Sequence, residues 1–199
     1  MNENKKNIIT TTARLIREKG YENVTVQDIC REAFVARSTF YYQFKSIDDV
    51  IDQMFKYNYY IMTQEHLDRL NACGGPLEKL FYFHQLNLAL VLENGAELSK
   101  INISKKVRDG SPIGITYEYL YSTNFIVPYI RQCQEQGIIR NPAPAEKLAE
   151  VVTKTMIGCM IRWTRDGVSY DLTRDCLESL KCVYCIDDSV PIPGLEPAD

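Results

Sequence analysis

The chain has only two histidines and one tryptophan in 199 residues, and nowhere does it show the run of about 18 apolar residues that a membrane-spanning helix requires. No membrane-spanning helix is therefore expected. The opening MNENKKNII is too polar for a secretory signal, so a cytoplasmic location is expected. There is no glycine-rich phosphate loop, no HExxH pair and no nucleophile elbow, which removes the commonest sequence support for an enzyme. Both imidazoles, His66 and His84, lie on helical patterns far from the cysteines, so a four-ligand zinc set is not assembled. No metal, cofactor or catalytic residue is expected. Period-two alternation and internal repeats are also missing, which leaves an all-α protein.

What is present is ordinary in bulk and informative in detail. Apolar residues make up 45% and charged residues 25%, as in soluble globular domains. The net charge of −3 divides unevenly: residues 1–50 hold eight basic against seven acidic side chains, +1, so the remaining 149 carry −4. That split permits a nucleic-acid partner without demanding one. The seven cysteines read as small buried hydrophobes in a reducing compartment. Cys182 and Cys185, with Cys176 six residues before the first, could share a soft metal on one helix face, but a structural role is favoured.

Helical periodicity organises the chain. A first helix over 3–19 carries Ile9, Ala13 and Ile16 on one side and stops at Gly20. Thr25 can cap a second helix, with Asp28 in the place of a capping-box acid, and Val26, Ile29, Cys30 and Ala33 form its stripe. After Phe34-Val35, a third short helix begins at Ala36 and carries Phe40 and Phe44 inward. Ser46 caps a long fourth helix to about Ala72, and Gly74-Gly75-Pro76 turns into a fifth over 76–93. A further segment follows from Gly95 to about Val107, and an aromatic-rich helix is predicted over 115–136, kinked or split by Pro128. Two last helices, about 144–165 and 170–185, carry more apolar surface than one protomer needs, with Val151, Met156, Met160, Leu177 and Tyr184 on neighbouring faces beside the main stripes. From Asp187 the proline-rich tail reads as flexible.

Two short helices a turn apart form the helix-turn-helix unit, whose second helix enters the DNA major groove. Ala13-Arg14-Leu15-Ile16, Gly20-Tyr21, Thr25-Val26-Gln27-Asp28-Ile29, Ala33 and Thr39-Phe40-Tyr41-Tyr42-Gln43-Phe44-Lys45-Ser46 resemble, in order, the DNA-binding domain of the TetR family of bacterial transcriptional regulators. The resemblance implies a three-helix DNA-binding domain at 1–45, a larger helical ligand-binding and dimerisation domain at 46–186, and the tail at 187–199. It also implies DNA contacts from Thr25, Gln27, Arg37, Ser38, Thr39, Tyr41, Tyr42, Gln43 and Lys45. Arginine and glutamine suit guanine and adenine edges, and hydroxyls suit phosphates.

Three residues depart from the family pattern: Phe34 stands at the usual turn glycine, Ala36 at the usual serine cap, and Ile47 at a phosphate-binding lysine, with Lys45 nearby to replace it. The salt dependence of operator binding is therefore expected to be modest, well short of a slope of about −10 per dimer.

The resemblance further implies a small-molecule pocket in the larger domain, for which Tyr57, Phe81, His84, Tyr117, Tyr121, Phe125 and Trp163 are the candidates. Such a lining suits an apolar or aromatic effector. The expected protein is a ligand-responsive transcriptional regulator, most simply a repressor, bound to a palindromic double-stranded operator as a homodimer through residues 144–185. The alternative is a regulator of the same architecture that organises DNA or answers to protein partners without a small-molecule inducer.

Overall fold

The computed structural model describes residues 2–110, 123–166 and 170–195, with backbone alone at 59–67, 123–124 and 166. Among the described residues it forms α1 (Glu3–Lys19), a short 3-10 turn (Tyr21–Asn23), α2 (Val26–Glu32), α3 (Arg37–Gln43), α4 (Ile47–Ala72), α5 (Pro76–Asn94), α6 (Ala96–Asp109), α7 (Thr123–Glu135), α8 (Ala145–Asp166) and α9 (Leu172–Tyr184), and no strand. The fold is all-α.

The chain divides into two compact units, one of Met1–Ile61 with Asn94–Ser111 and the other of Met62–Glu93 with Pro112–Asp199. The division falls inside the long α4 rather than at residue 45, and it assigns α6 to the N-terminal unit.

In the first unit, Asn2 starts α1 by accepting the Lys5 N–H at 2.8 Å. Gly20, at φ 78°, stops it, and its own N–H reaches the Ile16 carbonyl at 2.9 Å. Ile8, Leu15 and Ile16 of α1, Ile29 of α2, Phe40 and Phe44 around α3, Val50 and Ile51 of α4 and Leu98 of α6 form one buried core. Each such side chain contributes about 1.5–3 kcal/mol when taken out of water. Ile47 packs partly buried against this core, so the residue at the family's lysine position supplies packing in place of charge.

In the second unit, α8 packs against both α7 and α9. α8 buries Leu148, Val152, Met156, Cys159, Met160 and Trp163; α9 buries Leu172, Cys176, Leu177, Leu180 and Tyr184. Of Val151, Met156, Met160, Leu177 and Tyr184, the apolar residues that the sequence offers to a partner, all but half-buried Val151 are thus already covered within the chain. Pro128 lies inside α7 without splitting it; residues 115–122 of the expected longer helix lie outside the described residues. The tail also differs from expectation. Ile192 is buried, and the Pro193 carbonyl accepts the Gln85 side-chain amide at 2.6 Å, so residues 187–195 are anchored to their unit.

Candidate nucleic-acid interface and buried aromatic cluster

The reading head is built by local capping chemistry. The Thr25 hydroxyl accepts the Asp28 N–H at 3.1 Å while the Asp28 carboxylate accepts the Thr25 N–H at 3.2 Å, a reciprocal capping box. Hydrogen bonds from the Thr25 hydroxyl, then from its amide, hold the Asp28 carboxyl below the usual carboxylate range. A second cap opens α4, where the Ser46 hydroxyl accepts the Asp49 N–H at 3.2 Å. Between them, α3 begins at Ala36 with no side-chain cap.

α3 is amphipathic in the sense a DNA-reading helix needs. Phe40 is fully buried, with Phe44 just beyond the helix end at a ring distance of 5.9 Å. Arg37, Ser38, Tyr41 and Tyr42 are exposed, and Thr39 and Gln43 are half-buried at the flanks. Tyr41 is steered from both sides: its ring meets Phe40 edge-on at 5.4 Å and lies 5.7 Å from the Arg37 guanidinium. Thr25, Gln27 and Lys45 are also exposed. Every DNA-contact candidate thus keeps solvent access in one compact unit.

One linkage in this unit was not visible in the sequence. The Tyr21 hydroxyl donates to Asp48 Oδ1 at 2.5 Å, and Arg108 of α6 approaches Asp48 Oδ2 at 3.5 Å. Burial, reinforced by the Asp48 hydrogen bond, pushes the Tyr21 hydroxyl up to about 12. With Leu98 and Ile101 against the core, this ties α6 to the start of α4 and the end of α1. Nothing in the periodicity of residues 96–109 signals it, because the partners are 60 residues apart.

The effector candidates fall in different parts of the chain. Tyr57 is half-buried in the first unit, and Tyr117 and Tyr121 lie outside the described residues. In the second unit Phe81 and His84 are buried, their rings edge-to-face at 5.8 Å. His84 Nε2 lies 3.0 Å from the Tyr184 hydroxyl. Its Nδ1 has no partner among the described residues, and burial pushes its pKa down to about 3, so the imidazole is neutral at physiological pH. Burial likewise raises the Tyr184 hydroxyl well above its usual value. Phe83 stacks obliquely on half-buried Phe125 at 5.1 Å, and Phe125 meets Tyr129 at 5.5 Å. Trp163 is buried on α8. Tyr184, one hundred residues from His84, is the member that sequence reasoning placed only on an apolar face.

Of the cysteines, Cys30, Cys133, Cys159 and Cys176 are buried, Cys73 is half-buried, and Cys182 and Cys185 are exposed; all are free thiols.

Residues 8–54, which hold most of α1, all of α2 and α3 and the start of α4, match the model of bacterial regulatory proteins of the tetR family. Residues 8–54 thus form a helix-turn-helix domain of the tetR type. The matched segment is the one that carries α2 and α3. Among curated relatives, the HTH-type transcriptional regulator YuxN of Bacillus subtilis is 30% identical over 111 residues, 56% of this chain; the chain spans only 36% of that relative's length. Among solved structures, the TetR-family repressor FadR of Thermus thermophilus, in complex with lauroyl-CoA, aligns with a TM-score of 0.64 at 20% identity over 96% of this chain and 99% of its own. A transcriptional regulator of Saccharomonospora viridis, in complex with choline, aligns with a TM-score of 0.68 at 23% identity over 91% and 96%. At these identities the likeness is one of fold alone, and it covers nearly the whole chain.

Proposed function

We propose that this protein is a ligand-responsive repressor of the TetR family that binds a palindromic operator as a homodimer in the cytoplasm. The observation that carries the reading is α3, with Phe40 buried beneath an exposed row of Arg37, Ser38, Tyr41 and Tyr42. In a dimer, two such helices would meet successive major grooves, roughly 34–36 Å apart. Ile161, 44% exposed on α8, supports pairing through residues 144–185. Occupancy of the second unit would shift the protein between two conformations in proportion to the effector's preference for one of them.

An apolar effector is supported by the Phe81 and Phe83 rings against a neutral His84, with Phe125 stacked on Phe83, and by the acyl thioester held by the Thermus repressor of the same fold. A regulator controlled by protein partners is the second reading, favoured by the close ring contacts of Phe81, His84 and Tyr184. Duplexes selected from a random pool by the intact protein test the reading. Arg37→Ala with Tyr42→Ala should abolish their retention by about a hundredfold, two lost contacts at roughly 1.4 kcal/mol each. Full retention would overturn the assignment of α3. Release of bound DNA by lauroyl-CoA would support the first reading of regulation over the second.

A further inference from the structure

Phe34 occupies a position that folding alone does not explain. Its φ of 53° is left-handed, a conformation that glycine adopts freely and phenylalanine only against steric resistance from its Cβ. The turn fixes it there: the Phe34 N–H reaches the Arg31 carbonyl at 3.3 Å, and the Val35 N–H reaches the Cys30 carbonyl at 3.0 Å. The side chain offers no compensation, since it is 95% exposed while Ala33 and Val35 on either side pack into the core. Backbone and ring therefore both count against the free protein, the combination found where local strain serves a contact.

Its neighbours indicate which contact. Three of the six exposed large hydrophobics among the described residues, Phe34, Tyr41 and Tyr42, fall within nine residues of the DNA-binding unit. Only Val35 and Ala36 separate Phe34 from α3.

We propose that Phe34 is a DNA-contacting residue whose ring packs on apolar surface of the operator beside α3. This inference rests on the assignment of α3 as the reading helix. Two parts of DNA offer such surface, the thymine methyl in the major groove and the deoxyribose of the backbone. The first makes Phe34 a determinant of sequence; the second makes it a determinant of affinity alone.

The experiment uses the intact protein and duplexes that the wild type selects from a random-sequence pool. Affinities at fixed salt are measured for wild type, Phe34→Gly, Phe34→Asn and Tyr42→Ala, together with thermal midpoints, and with deoxyuridine replacing each thymine in turn. Glycine and asparagine both tolerate positive φ, so these variants should melt at or above the wild-type temperature. They should nonetheless bind the selected duplex about tenfold more weakly, the effect of roughly 1.4 kcal/mol. A deoxyuridine position that weakens the wild type and leaves Phe34→Gly unchanged identifies the thymine methyl. A loss on Phe34→Gly with no deoxyuridine-sensitive position identifies deoxyribose.

If Phe34→Gly and Phe34→Asn bind as tightly as wild type while Tyr42→Ala does not, the proposal is overturned and the ring belongs to another occupant, such as a protein partner. If the wild type selects no duplex, or Tyr42→Ala binds undiminished, the assignment of α3 fails and takes the Phe34 proposal with it.

Discussion

Tyr42 of the N-terminal unit and Tyr184 of the second use the same side chain in opposite ways. In the N-terminal unit Tyr42 is 85% exposed and Phe34 95%, whereas in the second unit Tyr184 and Phe81 are fully buried. An exposed tyrosine keeps its hydroxyl hydrated and free to meet a phosphate or base. A buried one must find its partner inside the chain, as Tyr184 does at His84. The first arrangement retains recognition chemistry on a scaffold stabilised elsewhere; the second spends a polar pair on fixing the core.

The sharpest way to test this contrast lies within α3 itself. Phe40→Ala, removing a fully buried ring, should lower stability by about 3–5 kcal/mol in chemical denaturation of the first unit. Tyr42→Ala, two residues away, should change it by no more than about 0.5 kcal/mol. Comparable losses from both would mean that Tyr42 is a packing residue.

The second unit should betray its buried imidazole in acid. Native His84 stays neutral until about pH 3, whereas the unfolded chain binds a proton near 6.5. Between these values the unfolded state holds more protons, so stability falls as pH falls, by about 1.4 kcal/mol per pH unit. Above pH 6.5 the group contributes no slope. Replacing both partners, His84→Leu with Tyr184→Phe, should flatten the dependence across this window, because no buried base remains. An unaltered slope would assign acid sensitivity to other groups.

These two units also differ in how far their sequence could be read. The capping box of Thr25 and Asp28, the stop at Gly20 and the proline opening α5 are local chemistry, with partners three or four residues apart or in the same turn, and they appear where the residues place them. The inclusion of α6 in the N-terminal unit depends on Leu98, Ile101 and Arg108 meeting residues far away in sequence, which no periodicity encodes. The proline-rich composition after Asp187 suggested a loose tail, yet Ile192 and the Pro193 carbonyl find partners across the unit. In the site, the exposed face of α3 followed from the four-residue spacing of Phe40 and Phe44, with polar side chains between them. The pairing of His84 with Tyr184 did not, because a tyrosine on an apolar helix face gives no indication of which distant polar atom it will reach.

The smallest expected effect compares two adjoining helix starts. α2 has its reciprocal Thr25–Asp28 cap, while α3 starts from Ala36, whose extended backbone at φ −68° and ψ 151° already has the geometry of a cap residue. Only the side-chain acceptor is missing. Ala36→Ser supplies it without changing the backbone and should raise stability by about 0.5–1 kcal/mol, read as a shift of the denaturation midpoint at unchanged slope. Thr25→Ala should lower it by a similar amount, removing the cap that α2 has. If Ala36→Ser gives no gain while Thr25→Ala gives its loss, the first amides of α3 are already as well satisfied by water as by a hydroxyl, and the difference between the two helix starts carries no energetic weight.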